Sequence, residues 1–261
     1  SGTSVVLTVT NFIANDASVT VGYTQSSSDS AKMKDAAGNA VATLSSAKSV
    51  TVTNDSTLPT VSSVTSSTSD GTFKVGDTVA VQVKFSEAVV VTTAGGTPKI
   101  TLETGTTDRS VNYTSGSESD TLLFNYTVQN GDVASDLDYT GTTALALNGG
   151  TIKDIAGNAA TLTLKAVGAT GSLGNAKALV VDGVLPTVST AAANAGTKTV
   201  TLTMSENVSG SPANGDFSVL VGSASNAVTN VAISSKSVVL TVTNFIANDA
   251  TVTVGYTQSS S

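Results

Sequence analysis

The chain has 261 residues, of which 12% are charged, and carries a net charge of −7 with no cysteine and no histidine. Lack of cysteine excludes a disulfide framework and thiolate chemistry, and lack of histidine removes the commonest general base, the usual zinc ligand and any histidine-based triad. The acidic balance disfavours nucleic acid, whose phosphates demand a basic surface, while permitting divalent cations. No apolar run reaches the roughly 18 residues of a membrane span, so membrane insertion is not expected. No signal peptide opens the chain, and Ser1 reads as lying within a domain.

From the N-terminus, SVVLTVTNFIANDASVTVGYTQSSS at 4–28 recurs at 237–261 with the single change of Ser18 to Thr251, an offset of 233 residues. Near-identity over such a length marks a duplicated unit, and its period is too long for one solenoid repeat of about 20–50 residues. It suits a pair of domains. Two boundaries follow in chain order, NDSTLPTVSSV at 54–64 and DGVLPTVST at 182–190. Proline fixes φ and cannot donate to a ladder, so Pro59 and Pro186 belong where a linker enters a domain. The chain thus divides into 1–57, the C-terminal part of one domain, 58–183, a complete domain, and 184–261, the N-terminal part of a domain like the first.

Within 58–183, Val79, Val81, Val83 and Phe85 alternate against Thr78, Ala80, Gln82 and Lys84, the period of a half-buried strand. Leu122, Phe124, Tyr126 and Val128 repeat it. Shorter strands are expected at 61–64, 100–103, 111–113, 145–147, 161–164 and 179–181, separated by glycine-rich turns such as Asn130-Gly131-Asp132 and Asn148-Gly149-Gly150. In the last fragment Val200, Leu202 and Met204 alternate, as do Val238, Leu240 and Val242, then Val252 and Val254. Many short strands at this spacing predict an all-β fold: tandem immunoglobulin-like β-sandwich domains, end to end.

Three acidic signals recur. One precedes Leu-Pro, as Asp55 and Asp182; one follows serine at the end of the second strand, as Glu87 and Glu206. The third opens Asp-x-x-Gly-Asn, as Asp35 and Asp154. In an immunoglobulin-like strand order the linker, the loop after the second strand and the loop before the last strand lie at one pole. Asp55, Glu87 and Asp154, with Asn158, are therefore expected to meet, as are Asp182 and Glu206, with Asp35 the stranded counterpart of Asp154. Clustered carboxylates repel unless a cation lies between them, and all-oxygen ligands in irregular loops point to interdomain Ca²⁺. The competing reading is that these acids fix turns or are simply solvated. Asp77 and Asp132 read as turn residues, Asp136 and Asp138 as a weakly supported second acidic loop, and Asp108–Arg109 as a surface pair.

LPTVSSV, VGDTVAVQVKFSEAVVV, TLLFNYTVQNGD, LNGGTIKDIAGNAATL and ALVVDG, in this order across 58–183, resemble the bacterial immunoglobulin-like extender modules of giant repeat adhesins, including RTX-type ones. KTVTLTMSENV and MKDAAGNAVATL in the flanking fragments resemble a repeat of cyanobacterial swimming-associated surface proteins and of biofilm proteins. The resemblance implies stalk modules at the bacterial cell surface, stiffened by junctional calcium, although these linkers carry fewer acids than richly acidic calcium linkers. The expected function is therefore a structural, non-enzymatic extender that projects a distal region, with neighbouring domains of the same array as partners. The alternatives are an adhesive module, homophilic or glycan-binding, and an accessory spacer of a secreted polysaccharide-active enzyme. Exchange between the terminal fragments of adjacent molecules is a further expected contact, because each carries part of one fold.

Overall fold

The computed structural model describes residues 4–9, 13, 17–52, 54–248 and 250–257. The fold is nearly all β, of sandwich type, and the chain falls into two compact units, Ser1–Val184 and Leu185–Ser261. In the first, β1 (Val19–Val21) and β2 (Lys48–Val50) form a small antiparallel pair. There follow β3 (Val61–Ser66), β4 (Gly71–Lys74), β5 (Thr78–Thr92), β6 (Lys99–Leu102), β7 (Arg109–Ser115) and β8 (Ser119–Thr127). The unit closes with β9 (Val133–Ala134), β10 (Leu145–Ala146), β11 (Thr151–Asp154), the one-turn helix α1 (Leu173–Ala176) and β12 (Leu179–Asp182).

One sheet runs β10-β6-β7-β8-β5-β11, with β3 also on β5; the other runs β4-β12-β9. Alternation in β5 is what fixes its face: Val79, Val81, Val83 and Phe85 are buried and stand opposite Tyr126, Phe124, Leu122 and Val61 in their ladders. A side chain of this kind contributes roughly 1.5–3 kcal/mol when fully buried. Leu179 and Val181 of β12 close the core from the second sheet. β12 lies parallel to β4 and antiparallel to β9.

Two details of β5 differ from the sequence expectation. It does not end at Ser86-Glu87 but continues to Thr92, and its pairing with β8 jumps from Lys84↔Thr121 to Val89↔Ser119. Glu87 therefore lies in a bulge inside the strand, a device that re-aims a side chain. The expected strand at 161–164 is reduced to a single bridge, Thr60↔Thr161. Leu164 is nevertheless buried, so its apolar pattern serves packing without a ladder.

The second unit has β13 (Val188–Ala193), β14 (Thr199–Met204), β15 (Phe217–Val221), β16 (Ala224–Ser225), β17 (Val228–Ser234), β18 (Ser237–Val242) and β19 (Val252–Tyr256). They form two sheets, β13-β14-β18-β17 and β16-β15-β19, around Val200, Leu202, Val219, Val238, Leu240, Val242 and Ile246. The duplicated segment provides an internal control. Leu240 is 0% exposed inside β18, whereas its twin Leu7 is 65% exposed and residues 4–9 form no strand. The local sequence is the same; what differs is the presence of β14 and β17 on either side.

Candidate metal centre

β3 and β11 occupy the same edge of β5 one after the other, since β8 holds the opposite edge along both stretches. Val61 of β3 pairs with Phe85 and Asp154 of β11 pairs with Val89, so the two strands meet beside the bulge that carries Glu87. The linker enters at the same point. Its path is clamped by Ser86, whose hydroxyl accepts the Thr60 N–H at 3.0 Å and whose own N–H donates to the Thr60 carbonyl at 2.8 Å. Thr161 donates to the Pro59 carbonyl at 2.8 Å. Pro59 is buried.

Carboxylate oxygens of Asp55, Glu87 and Asp154 thereby lie within 4.8 Å of one another. Asp154 is buried, at 3% exposure, and Glu87 is half-buried. Burial, followed by the charges of Asp55 and Asp154, pushes the Glu87 carboxyl above its ordinary range. The three acids come together as the topological argument required, but by another route. The Asp154 loop does not adjoin the last strand, because residues 160–178 intervene; pairing of β11 with the far half of β5 brings it to the pole.

Asn158 organises this pole through its amide nitrogen, which donates to Asp154 Oδ2 at 2.7 Å, to the Asp55 carbonyl at 2.9 Å and to the Thr57 carbonyl at 3.3 Å. Its N–H donates to Asp154 Oδ1 at 2.8 Å. One side chain thus ties the loop to the linker, and Gly157 at φ +102° permits the turn between them. Asp35 builds the same hairpin by itself. Asn39 donates from its backbone and side chain to the Asp35 carboxylate at 2.8 and 2.9 Å, and these bonds hold that carboxyl below its ordinary value. Among the described residues Asp35 belongs to no cluster of three acids.

Asp182 and Glu206 fall in different units and are described separately. Asp182 Oδ1 accepts the Val184 N–H at 3.3 Å, the same turn that Asp55 makes with Thr57 at 2.9 Å. Glu206 is half-buried, and its Oε1 is buried without a hydrogen-bond partner among the described residues. Ser205 repeats the clamp of Ser86, exchanging bonds with Thr187 at 2.9 and 2.8 Å. The serine of Ser-Glu is the functional residue that sequence reasoning missed; its recurrence before both glutamates was the available signal.

Asp77, Asp132 and Asp138 play structural parts. Asp77 accepts the Lys74 N–H and pairs with its ammonium at 3.0 Å. Asp132 does more than fix a turn: at 1% exposure it receives Arg109 at 2.7 Å, the Tyr126 hydroxyl at 2.7 Å and the Gln129 N–H at 3.0 Å. Arg109 is therefore committed to Asp132 rather than to its neighbour Asp108. Asp138, buried, accepts the N–H groups of Tyr139 and Gly168.

Residues 209–261 match the SWM repeat family, described as a "Putative flagellar system-associated repeat". Residues 4–28 repeat the end of that stretch almost letter for letter. The match bears on the swimming-associated repeat and not on the extender modules of RTX-type adhesins. No curated protein and no solved structure matches the chain. Among the described residues no helix is long and apolar enough to cross a membrane.

Proposed function

We propose that the chain is a structural extender segment of a large, repetitive bacterial surface protein, stiffened by calcium where consecutive domains join and projecting a distal functional region. The observation that carries this reading is the meeting of Asp55, Glu87 and Asp154 where the Leu-Pro linker enters the sandwich. Calcium takes oxygen ligands at 2.3–2.6 Å, so two of its ligands stand at most about 5 Å apart, and the 4.8 Å limit here fits. Asp55, Glu87 and Asp154 would hold the ion, which supplies the positive charge that three mutually repelling carboxylates lack. Asn158 and Ser86 position the linker and are not needed as ligands. Asp182, Glu206 and Asp35 carry the same three signals elsewhere in the repeat, and the proposal extends to them by that recurrence.

The role is mechanical rather than catalytic, and extracellular, as suits an array built from a duplicated 233-residue unit. A cation that binds only the folded state, at a hundred times its Kd, adds about 2.7 kcal/mol. For a unit of this size that is a rise in Tm of about 5–10 °C. Calorimetry in calcium and in chelator is expected to show that rise, and small-angle scattering a larger maximum dimension with calcium. Equal melting temperatures and dimensions in the two buffers would refute the calcium strut.

A further inference from the structure

We infer that the sandwich of the first unit bears end-to-end tension through a shear clamp, the parallel pair β4–β12, with Gly183 as its lock. The inference rests on the extender reading for the direction of the load. The chain enters this sandwich at the Glu87 pole, where Ser86 holds Thr60. β3 then runs back along β5 from Phe85 to Val81. β4 ends at the turn where β5 begins, closed by the Asp77 N–H donating to the Lys74 carbonyl at 3.0 Å. β12 is parallel to β4, with Leu179 beside Gly71 and Asp182 beside Lys74, so it leaves at the pole opposite the entry.

Tension between entry and exit therefore draws β4 and β12 in opposite directions along their common axis. A single backbone bond is weak, and a ladder opened from one end yields bond by bond. Under sliding, the evenly spaced bonds of a parallel pair are loaded together. β12 is the central strand of its sheet, so its withdrawal must also slide it along β9. Leu179 and Val181, both buried, leave the core in the same movement. The start of the pair is fastened as well. Asp70 accepts the Ala178 N–H at 3.2 Å and pairs with Lys177 at 3.4 Å, and the Gly71 N–H donates to the Ala178 carbonyl at 3.1 Å.

At the exit the strand is held where it leaves the sandwich. The Gly183 N–H donates to the Asp132 carbonyl at 2.7 Å, and the Gly183 carbonyl accepts the Gly131 N–H at 2.9 Å. A Cβ at Gly183 would collide with the Gln129 carbonyl and stand 2.8 Å from that of Asp132, so glycine lets the strand lie this close. Asp132 is in turn fixed by Arg109 and the Tyr126 hydroxyl. The exit thus uses the protein's own guanidinium where the entry gathers three acids, and the clamp works independently of calcium.

The chain has no cysteine, so thiol handles can be placed at chosen positions. Single-molecule force spectroscopy of the full chain in chelator, where junctional calcium cannot contribute, compares two directions of pull. Leu58→Cys with Val184→Cys applies the load end to end, whereas Ser69→Cys with Asn175→Cys opens β4 from β12 at the Gly71 end; all four positions are exposed. Forced rupture reports the unfolding barrier along the pulled direction. The expected result is a rupture force severalfold higher end to end. Adding Gly183→Ala should lower that force and leave the other near its original value. Equal forces in the two directions overturn the inference, as does an end-to-end force that Gly183→Ala leaves unchanged. Either failure leaves the calcium-dependent rise in Tm untouched, and absence of that rise leaves the directional difference standing.

Discussion

Glu87 faces two acids, so removal of its charge should act in opposite directions with and without a cation. Burial and the neighbouring charges raise its carboxyl in the folded state above the ordinary value of 4.5. The folded protein then holds a proton that the unfolded chain releases, and stability falls as pH rises from that ordinary value through the raised one. In chelator at neutral pH, Glu87→Gln should melt higher than the wild type, and the difference should vanish under acid conditions where both carboxyls are protonated. In calcium the order reverses, because the variant loses the metal-dependent rise. Thermal melts across pH, with calcium and with chelator, check both signs. Asp132 makes a different case. Asp132→Ala leaves Arg109 and the Tyr126 hydroxyl without their shared acceptor at a buried site, and loss of one partner of a buried pair costs about 3–5 kcal/mol. Arg109 keeps some solvent, so urea denaturation should return the lower end of that range. Nothing in the local letters Asn-Gly-Asp disclosed this pair, whose members are brought together by β7 and the turn after β8.

Among the elements, the Asp-x-x-Gly-Asn hairpin forms in the same way at Asp35 and at Asp154, with the same bonds from asparagine back to aspartate. It is therefore a local fold of five residues, and its presence at Asp35 without other acids separates loop from site. What makes a candidate site is the third and fourth bonds of Asn158, to the linker carbonyls. Asn158→Ala should cost about 0.5–1.5 kcal/mol by removing the side-chain bonds to the linker carbonyls and to Asp154, and should weaken calcium binding, measured by isothermal titration, without removing any ligand oxygen. Strands β5, β8, β12, β14 and β18 were legible because their period-two alternation coincides with burial on one face. Strands β4, β9 and β11 were not, being two to four residues long and defined by the neighbours they pair with. The meeting of Asp55, Glu87 and Asp154 was legible in outcome and not in mechanism, since no local pattern announces a bulge at Glu87 or a strand that shares an edge with β3.

Across the whole molecule, the two units differ in how much apolar surface they bury. The first encloses Phe85, Phe124, Tyr126 and Tyr139 among many aliphatic residues, whereas the second, among the described residues, relies on seven buried aliphatic side chains. Calorimetry is expected to resolve two transitions, the lower from 185–261, with the calcium response of the Glu87 cluster seen in the upper one. The duplicated segment has a practical consequence of its own. An endopeptidase that prefers aliphatic residues meets Val-Val-Leu twice in this chain, once as an open target at 5–7 and once locked inside β18. A single brief digestion, read by mass spectrometry, should nick the first and spare the second, so that one chain reports on its own folding with a built-in reference.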